Sequence, residues 1–414
     1  MSFDQAKVTA FYENHPYPHR PPGQVSDAHL IGIPGDMRFI NHYVFGGRRD
    51  FKRPIRVLVA GGGTGDAVIG LGRQLAQLSC PTEMVYIDLS KNSREIAEER
   101  TRKIGLTGVR FLSGRIQDLL ELAPGPYDYI DLCGVINHVG NQQEVLCFLT
   151  QLLTPDGGIG VMAYGQLGRT GVYHVQDMLR LLDTEQTDVT TARALLSTLP
   201  ETNWHNRNTI FADTKSEPHV EIADRYLNPS DRAFTVAELR DLAAVADLRI
   251  AAFLPPLLYD VASAIQDDGL RRRVLKLDWI DRCIFGELFN GDVAMHNFYL
   301  VGKSHRVNPE ALLQNKAAIP TMVSIAEGTA PIVRNGAFGF TMRCGPVTRT
   351  LELTGNEYTA PILRAIDGKR TLQQIHRTMP GNLSWRAFER EFAIVYKGLN
   401  GAGEMVLSTT AMPH

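Results

Sequence analysis

The 414-residue sequence lacks the features that would tie it to a membrane or to a polyanion. No apolar run approaches the roughly 20 residues that a bilayer-spanning helix needs. The net charge is only −2 at pH 7, so no excess of one sign favours nucleic acid or an anionic surface. The N-terminus has neither a basic segment nor an apolar core, which argues against a secretory signal. We therefore expect a cytoplasmic protein without a membrane partner.

Cysteine is also scarce, with five residues that are odd in number and widely spaced. They form no C-x-x-C pair and stand at Cys80, Cys133, Cys147, Cys283 and Cys344. This pattern predicts reduced thiols and argues against a disulfide framework or a zinc site. His15 and His19 have no acidic partners at ligand spacing, so no metal is predicted.

What the chain does contain is an alternation of short apolar runs and helix-like segments that starts at residue 51. Such alternation indicates parallel strands in a doubly wound α/β sheet. The predicted strands cover residues 56–60, 84–88, 109–113, 129–132, 158–163, 248–254 and 297–302. Predicted helices cover 66–78, 90–104 and 142–153, and another begins after Thr235, whose side chain forms a capping box with Glu238.

Four regions are predicted along the chain. Residues 1–50, rich in proline and aromatics, form an N-terminal arm or lid. Residues 51–304 form the sheet domain, with a helical cap insertion at about 166–232 and a second insertion at about 255–295. Residues 305–330 form a linker. Residues 331–414 form a small winged-helix-like module, whose ten Lys/Arg and six Asp/Glu over 331–404 leave a net charge of +4, too small to favour nucleic acid.

The most informative segment is the glycine turn after the first predicted strand, Gly61-Gly62-Gly63-Thr64-Gly65-Asp66. A dinucleotide fingerprint would have its third glycine where Asp66 stands, and a carboxylate there would repel a pyrophosphate. No Gly-Lys-Ser/Thr follows, which excludes a Walker A loop. The second strand ends on Asp88, and a side-chain-free turn followed by such a carboxylate indicates a nucleoside site.

These motifs resemble those of the class I S-adenosylmethionine-dependent methyltransferases. Gly61, Gly63 and Gly65 match the G-x-G-x-G of the first motif, and Asp88 matches the acid that binds both ribose hydroxyls. The resemblance implies a mostly parallel seven-stranded sheet with S-adenosylmethionine as the cofactor. It also implies cofactor contacts after the second, third and fourth strands, at Leu89, Arg115, Ile116, Cys133 and Gly134.

Three features depart from the family pattern. Val59 occupies the acidic position of the first motif, and Arg115 that of the third, where Asp118 is a substitute. The methionine carboxylate needs a cation from elsewhere, and Arg20 and Arg48 on the arm are candidates. A spermidine-synthase-like aminopropyltransferase shares the Gly-Gly-Gly turn, but it needs acidic residues after the fourth strand, and residues 133–138 contain none.

Two candidates for a catalytic base follow the fourth and fifth strands. A neutral imidazole at His138 could take a proton from a hydroxyl or an ammonium group, although a structural histidine bonded to a loop carbonyl fits equally well. Tyr164 is the second candidate. Five residues are candidate acceptor contacts: Tyr17, Arg169, Tyr173, Trp204 and His205. The alternatives are static packing on the sheet for Tyr17, a surface turn with a core tyrosine for Arg169 and Tyr173, and a small satellite core for Trp204 and His205.

The sequence therefore predicts a methyltransferase that acts on an O or N nucleophile of a protein, a peptide or a bulky small molecule. The alternative is a non-catalytic S-adenosylmethionine-binding sensor whose C-terminal module contacts DNA or a protein partner. The extra module is also compatible with a homodimer.

Overall fold

The computed structural model describes residues 4–21, 32–182, 188–208, 210–211, 217–323, 332–334, 337–344, 347–353 and 356–412. Its centre is a seven-stranded sheet in the order β3-β2-β1-β4-β5-β7-β6, in which only β7 is antiparallel to its neighbours. The strands are Ile55–Ala60 (β1), Thr82–Asp88 (β2), Val109–Ser113 (β3), Tyr127–Cys133 (β4), Leu153–Tyr164 (β5), Leu248–Leu254 (β6) and Met295–Gly302 (β7). This is the mostly parallel sheet that the sequence predicts.

The α-helices of the described chain lie on both faces of the sheet, in the cap and in the C-terminal region. They are Gln5–Asn14 (α1), Met37–Tyr43 (α2), Asp66–Gln77 (α3), Lys91–Lys103 (α4), Leu119–Leu122 (α5), Gln142–Gln151 (α6), Thr170–Leu181 (α7), Val189–Thr198 (α8), Trp204–Arg207 (α9), His219–Ile222 (α10), Val236–Val245 (α11), Asp268–Val274 (α12), Trp279–Asn290 (α13), Thr359–Ala365 (α14), Leu372–His376 (α15) and Trp385–Gly401 (α16).

Local sequence explains where several elements begin. Ser90 accepts a hydrogen bond from the Ser93 amide at the start of α4, and Thr235 forms a capping box with Glu238 at the start of α11. The fifth strand begins at Leu153 rather than at residue 158, because Leu153 pairs with Tyr127 across a shift in register. Both faces of the sheet are covered, which is why β1 and β2 are almost continuously apolar.

The insertion predicted at 166–232 is helical in its described parts. It contains α7 to α10 and a π-helical turn, Ala223–Leu227. These helices share a small core of their own, which includes Val172, Leu196 and Tyr226, and Phe11 of α1 packs against it. The cap is therefore held both by its own apolar side chains and by the N-terminal arm.

In its described residues, the C-terminal region contains helices α14 to α16 and five further strands. These strands are Ile319–Met322 (β8), Ile332–Arg334 (β9), Ala337–Cys344 (β10), Val347–Leu353 (β11) and Met405–Ser408 (β12). Strands β9 to β11 form an antiparallel meander, and β12 pairs with β8, upstream of the helices. The winged-helix architecture is not confirmed. The segment predicted as a linker, 305–330, supplies β8 and the buried Leu312 and Ala318 to this region.

A buried histidine on α2 contacts residues near the end of the chain. His42 on α2 is fully buried, with Nδ1 2.8 Å from the Leu407 carbonyl oxygen and Nε2 2.9 Å from the Tyr396 hydroxyl. Burial lowers the pKa of His42 to about 4, so the ring is neutral at physiological pH. No helix in the described ranges is long and apolar enough to cross a membrane.

Candidate active site

A cavity of about 930 Å³ opens at the carboxyl ends of the central strands, where ligands bind in open α/β sheets. One part, the turn end, is lined by the glycine turn and Asp88. The other part, the cap end, is lined by His138, Tyr164 and the cap. Tyr17 connects them, because its backbone carbonyl accepts a hydrogen bond from Thr64 and its hydroxyl donates to Glu221 at 3.2 Å.

The glycine turn needs glycine for two different reasons. At Gly63 the backbone has φ +51°, and a Cβ would lie 2.4 Å from the Tyr17 carbonyl oxygen, so a side chain would displace the arm. Gly61 also lines the cavity with positive φ. Gly65 does not line it: a Cβ there would lie 2.8 Å from that of Ala97, so Gly65 lets α3 start close to α4.

Asp88 is held in place by the backbone around it. Oδ2 accepts a hydrogen bond from the Gly63 amide and Oδ1 from the Ser90 amide, each at 2.8 Å. Burial raises the pKa of Asp88 to about 6 despite these bonds. Each oxygen keeps a second lone pair, so the carboxylate can still accept hydrogen bonds from two neighbouring hydroxyls.

The other predicted cofactor contacts all line the cavity, namely Leu89, Arg115, Ile116, Cys133 and Gly134. Arg115 is already paired, with Nη2 2.8 Å from Oδ1 of Asp118, and Asp118 itself lies outside the cavity lining. Asp118 therefore fixes Arg115 and does not reach the ligand space directly.

The sequence analysis missed Asp131, a buried carboxylate on β4 that lines the cavity. Only 3% of Asp131 is exposed, and burial raises its pKa to about 6. Its partners are the Cys133 amide at 3.3 Å and thiol at 3.5 Å, and no ion pair to it occurs within the described ranges. In the strand register Asp131 lies beside Val59, the position where the family's first motif has its acid. The neighbouring strand therefore places a carboxylate next to the position where the first motif lacks one.

Arg20 and Arg48 do not reach the cavity. Arg20 Nη2 lies 2.9 Å from Asp66 Oδ2, and the buried Arg100 binds the other oxygen of Asp66 at 2.8 Å. Arg48 is exposed to solvent. The carboxylate of Asp66 is thus neutralised by two guanidinium groups, which fix the arm against the start of α3.

His138 is 7% exposed and lies between two aromatic rings at the cap end. Its ring centre is 6.0 Å from that of Tyr12 and 5.7 Å from that of Tyr164. Nδ1 lies 2.6 Å from the Ser230 carbonyl oxygen and must donate to it. In the neutral ring Nε2 therefore carries the lone pair, and no residue in the described ranges bonds to it.

Beside His138, neutral donors surround a second buried carboxylate, Asp224. Asp224 lies on the π-helical turn, a distortion that is common at functional sites. It accepts hydrogen bonds from the Tyr12 hydroxyl at 3.2 Å, the Tyr164 hydroxyl at 3.4 Å and the Asn228 amide at 3.2 Å. Burial and the charge of Asp224 raise the pKa of both tyrosines, which therefore stay protonated.

The remaining predicted acceptor residues divide into two groups. Tyr17 and Arg169 line the cavity. The Arg169 guanidinium lies 3.8 Å from the centre of the Tyr164 ring and forms a buried ion pair with Asp231 at 3.2 Å. Tyr164 is therefore held by a cation on its ring face.

Tyr173, Trp204 and His205 do not line the cavity. The Tyr173 hydroxyl accepts a hydrogen bond from Arg169 at 3.2 Å, and His205 is buried in the cap with Nε2 2.7 Å from the Tyr226 hydroxyl. Trp204 is 55% exposed on the outside of the cap. Packing within the cap explains these positions, and the prediction that the three residues contact the acceptor is not supported by the cavity lining.

The sequence and fold of this chain are similar to those of known methyltransferases. A sequence model described as a methyltransferase domain matches residues 58–159, which contain the glycine turn, Asp88, Asp131 and His138. The matched segment is a methyltransferase domain, and its sheet has the class I fold. Its cofactor is S-adenosylmethionine, and the described residues fit that group. The glycine turn lets a ligand approach the backbone, the Asp88 carboxylate can accept hydrogen bonds from two neighbouring hydroxyls, and the cavity volume is ample.

Two relatives extend the likeness of this methyltransferase beyond the matched domain. An uncharacterised protein of Synechococcus sp. is 26% identical over 308 residues, 71% of this chain and 70% of the relative. The structure of PKMT2 from Rickettsia typhi in complex with AdoHcy superposes with a TM-score of 0.66 at 15% identity, covering 95% of this chain and 78% of PKMT2. At that identity the likeness shows a shared fold, which includes the regions outside the sheet domain.

Proposed function

We propose that this methyltransferase transfers a methyl group to an O or N nucleophile of a protein, a peptide or a bulky small molecule that enters the cap end. The observation that carries the proposal is the single cavity in which Tyr17 joins the glycine turn to the His138 region. S-adenosylmethionine supplies an electrophilic methyl carbon bound to a sulfonium sulfur. The protein has to hold acceptor and cofactor in line and to accept a proton when the nucleophile carries one.

The turn end is proposed to hold the cofactor. Asp88 accepts hydrogen bonds from the ribose hydroxyls, and Gly61 and Gly63 let the backbone approach the methionine portion. Leu89, Arg115, Ile116, Cys133 and Gly134 complete this end. Asp131, buried and without a cationic partner in the described ranges, is proposed to bind the cofactor's ammonium group. PKMT2 was solved with AdoHcy bound, which supports the same use of this fold.

The cap end is proposed to hold the acceptor. His138 Nε2 has a free lone pair and is the proposed base, while Nδ1 is fixed by the Ser230 carbonyl. Tyr164 keeps its proton and is proposed to position the acceptor rather than to deprotonate it. The alternative of a non-catalytic sensor has no specific contact in its favour.

The test is to incubate the protein with methyl-tritiated S-adenosylmethionine and cell extract and to count label in protein, small-molecule and nucleic-acid fractions. We expect His138→Gln to lower transfer by about 100-fold or more, since general bases contribute about that much. Its affinity for S-adenosylhomocysteine should stay within about twofold. His174→Gln, an exposed histidine of the cap, is the matched control and should transfer like wild type. Tight cofactor binding without label in any fraction would support the sensor instead.

A further inference from the structure

We infer that the acceptor is an alkylammonium group, the protonated amine at the end of an aliphatic chain. We assign its binding to an acid–tyrosine cluster at the cap end, formed by Tyr12, Tyr17, Tyr164, Glu221 and Asp224. This inference rests on the proposed function and names the acceptor for the same site. All five residues line the cavity, and they come from the arm, from the end of β5 and from the cap.

The first argument is the burial of Asp224. It is 6% exposed, and the hydrogen-bond donors around it are neutral, namely Tyr12, Tyr164 and Asn228. No ion pair to Asp224 occurs in the described part of the chain. A buried carboxylate without a cation is costly, because hydrogen bonds replace only part of its lost hydration. A cationic ligand in the cavity would supply the missing charge.

The second argument is the charge balance around the cluster. Glu217, Glu221 and Asp224 contribute three negative charges, while Arg225, paired with Glu217, contributes one positive charge. The pair of Arg169 with Asp231 adds no net charge. The cap end therefore carries a net charge of about −2 beside the cavity, which favours a cation over a neutral hydroxyl or a carboxylate.

The third argument is Nε2 of His138, which has no hydrogen-bond partner among the residues that the structure describes. The ring is 93% buried between Tyr12 and Tyr164, so its free Nε2 lies beside the residues that bind Asp224. Tyr12 and Tyr17 also line the cavity, and the face of an aromatic ring attracts an ammonium group. The same region thus offers carboxylates, aromatic rings and a proton acceptor, the combination that an amine acceptor needs.

An alkylammonium acceptor has to lose a proton before its nitrogen can accept the methyl group. The acceptor ammonium loses one proton to His138 Nε2, which becomes an imidazolium. The nitrogen lone pair then forms a bond to the methyl carbon, and the carbon–sulfur bond breaks with its electron pair remaining on sulfur. Positive charge therefore moves from sulfur to nitrogen, and Asp224 and Glu221 stabilise the transition state because they lie where the charge develops.

The binding test uses protein saturated with S-adenosylhomocysteine and two probes of equal chain length, n-butylammonium and n-butanol. We expect n-butylammonium to bind at least about tenfold more tightly, as measured by ligand-observed NMR titration. Asp224→Asn keeps the shape of the side chain and should abolish this preference. The matched control is Asp177→Asn, a carboxylate on the same insertion that is exposed, pairs with Arg180 and does not line the cavity. Equal binding of the two probes to wild type would overturn the inference.

The transfer test identifies the labelled atom. Protein and low-mass fractions from the tritium assay are hydrolysed in acid and separated by chromatography. Label in methylated lysine identifies a protein amine, and label in methylated polyamine identifies a free amine; both support the inference. Base-labile label, or label on sulfur, carbon or nucleic acid, refutes it while leaving methyl transfer intact. Absence of all label would refute the proposed function, and the two-probe titration would still decide whether the cap end selects an ammonium group.

Discussion

The assignment of Asp131 to the cofactor's ammonium group makes a prediction that separates two ends of the same ligand. S-adenosylhomocysteine carries the amino-acid portion, and 5′-methylthioadenosine has the same nucleoside without it. We expect Asp131→Asn to weaken binding of S-adenosylhomocysteine about 10- to 100-fold, because a hydrogen bond to a charged group contributes about 1.5–3 kcal/mol. Binding of 5′-methylthioadenosine should change less than about twofold. Isothermal titration calorimetry measures both.

Asp88→Asn is the matched control, because Asp88 is proposed to bind the ribose that both ligands share. It should weaken both ligands by similar factors. If Asp131→Asn weakened both equally, or neither, the assignment of Asp131 would be wrong. If Asp88→Asn also left both unchanged, the placement of the nucleoside itself would fail.

The stability of Asp131→Asn tests whether a binding defect of that variant comes from misfolding. Burial raises the pKa of Asp131 from 3.8 to about 6, so at neutral pH the ionised carboxylate destabilises the unliganded fold by about 3 kcal/mol. Asn removes this charge. We therefore expect the unliganded variant to be at least as stable as wild type in urea unfolding.

Four further outcomes are expected. At pH values below about 6, affinity for S-adenosylhomocysteine should decrease, because Asp88 and Asp131 have raised pKa values and must lose their protons to bind. Calorimetry at several pH values should show a weaker pH dependence of affinity for Asp131→Asn. An unchanged pH dependence in that variant would contradict the prediction. Gly63→Ala should weaken cofactor binding more than tenfold by displacing Tyr17, whereas Gly291→Ala, also at positive φ but with no neighbour within 4 Å, should cost only about 1 kcal/mol of stability. His42→Ala should lower the free energy of unfolding by about 2–4 kcal/mol, because it removes two hydrogen bonds and leaves a cavity. Tyr396→Phe removes only one of these bonds and should cost about 1 kcal/mol. Equal losses of stability in the two variants would argue against a separate contribution from the bond between His42 and Leu407. Because the pKa of His42 is lowered to about 4, the stability it contributes is present above about pH 6.5 and is lost as pH falls toward 4, which urea titrations at several pH values measure.

The parts of the site that follow from local pattern could be predicted from the sequence. The glycine turn, Asp88 and the residues after β3 and β4 are fixed by strand ends, and the carboxyl ends of parallel strands meet at one edge. Caps such as Ser90 and Thr235 are equally local. The caps follow from local spacing, and the cofactor contacts follow from the family resemblance at these strand ends. Of the predicted cofactor contacts, all except Gly65 line the cavity.

Other parts depend on contacts between distant segments. Asp131 is one of two aspartates in β4, and the sequence does not distinguish them. Only the strand register, which places Asp131 beside Val59, indicates a role in the site. Asp224 faces the cavity because a π-helical turn sets its direction and Tyr12 meets it from 212 residues away. Trp204 and His205 are residue types that often occur at binding surfaces. Packing within the cap leaves Trp204 exposed on the outside and buries His205. Sequence periodicity carries no information about such directions.

The contact between His42 and the last strand has a consequence for synthesis. Helix α2 packs against β12, and His42 meets the backbone of Leu407, so these contacts cannot form until the ribosome has released residues near 408. The arm residues that line the cavity precede α2 closely in the chain. We therefore expect the nascent sheet domain to acquire its cofactor pocket only after translation has passed β12, and limited proteolysis of stalled chains should show α2 exposed until then.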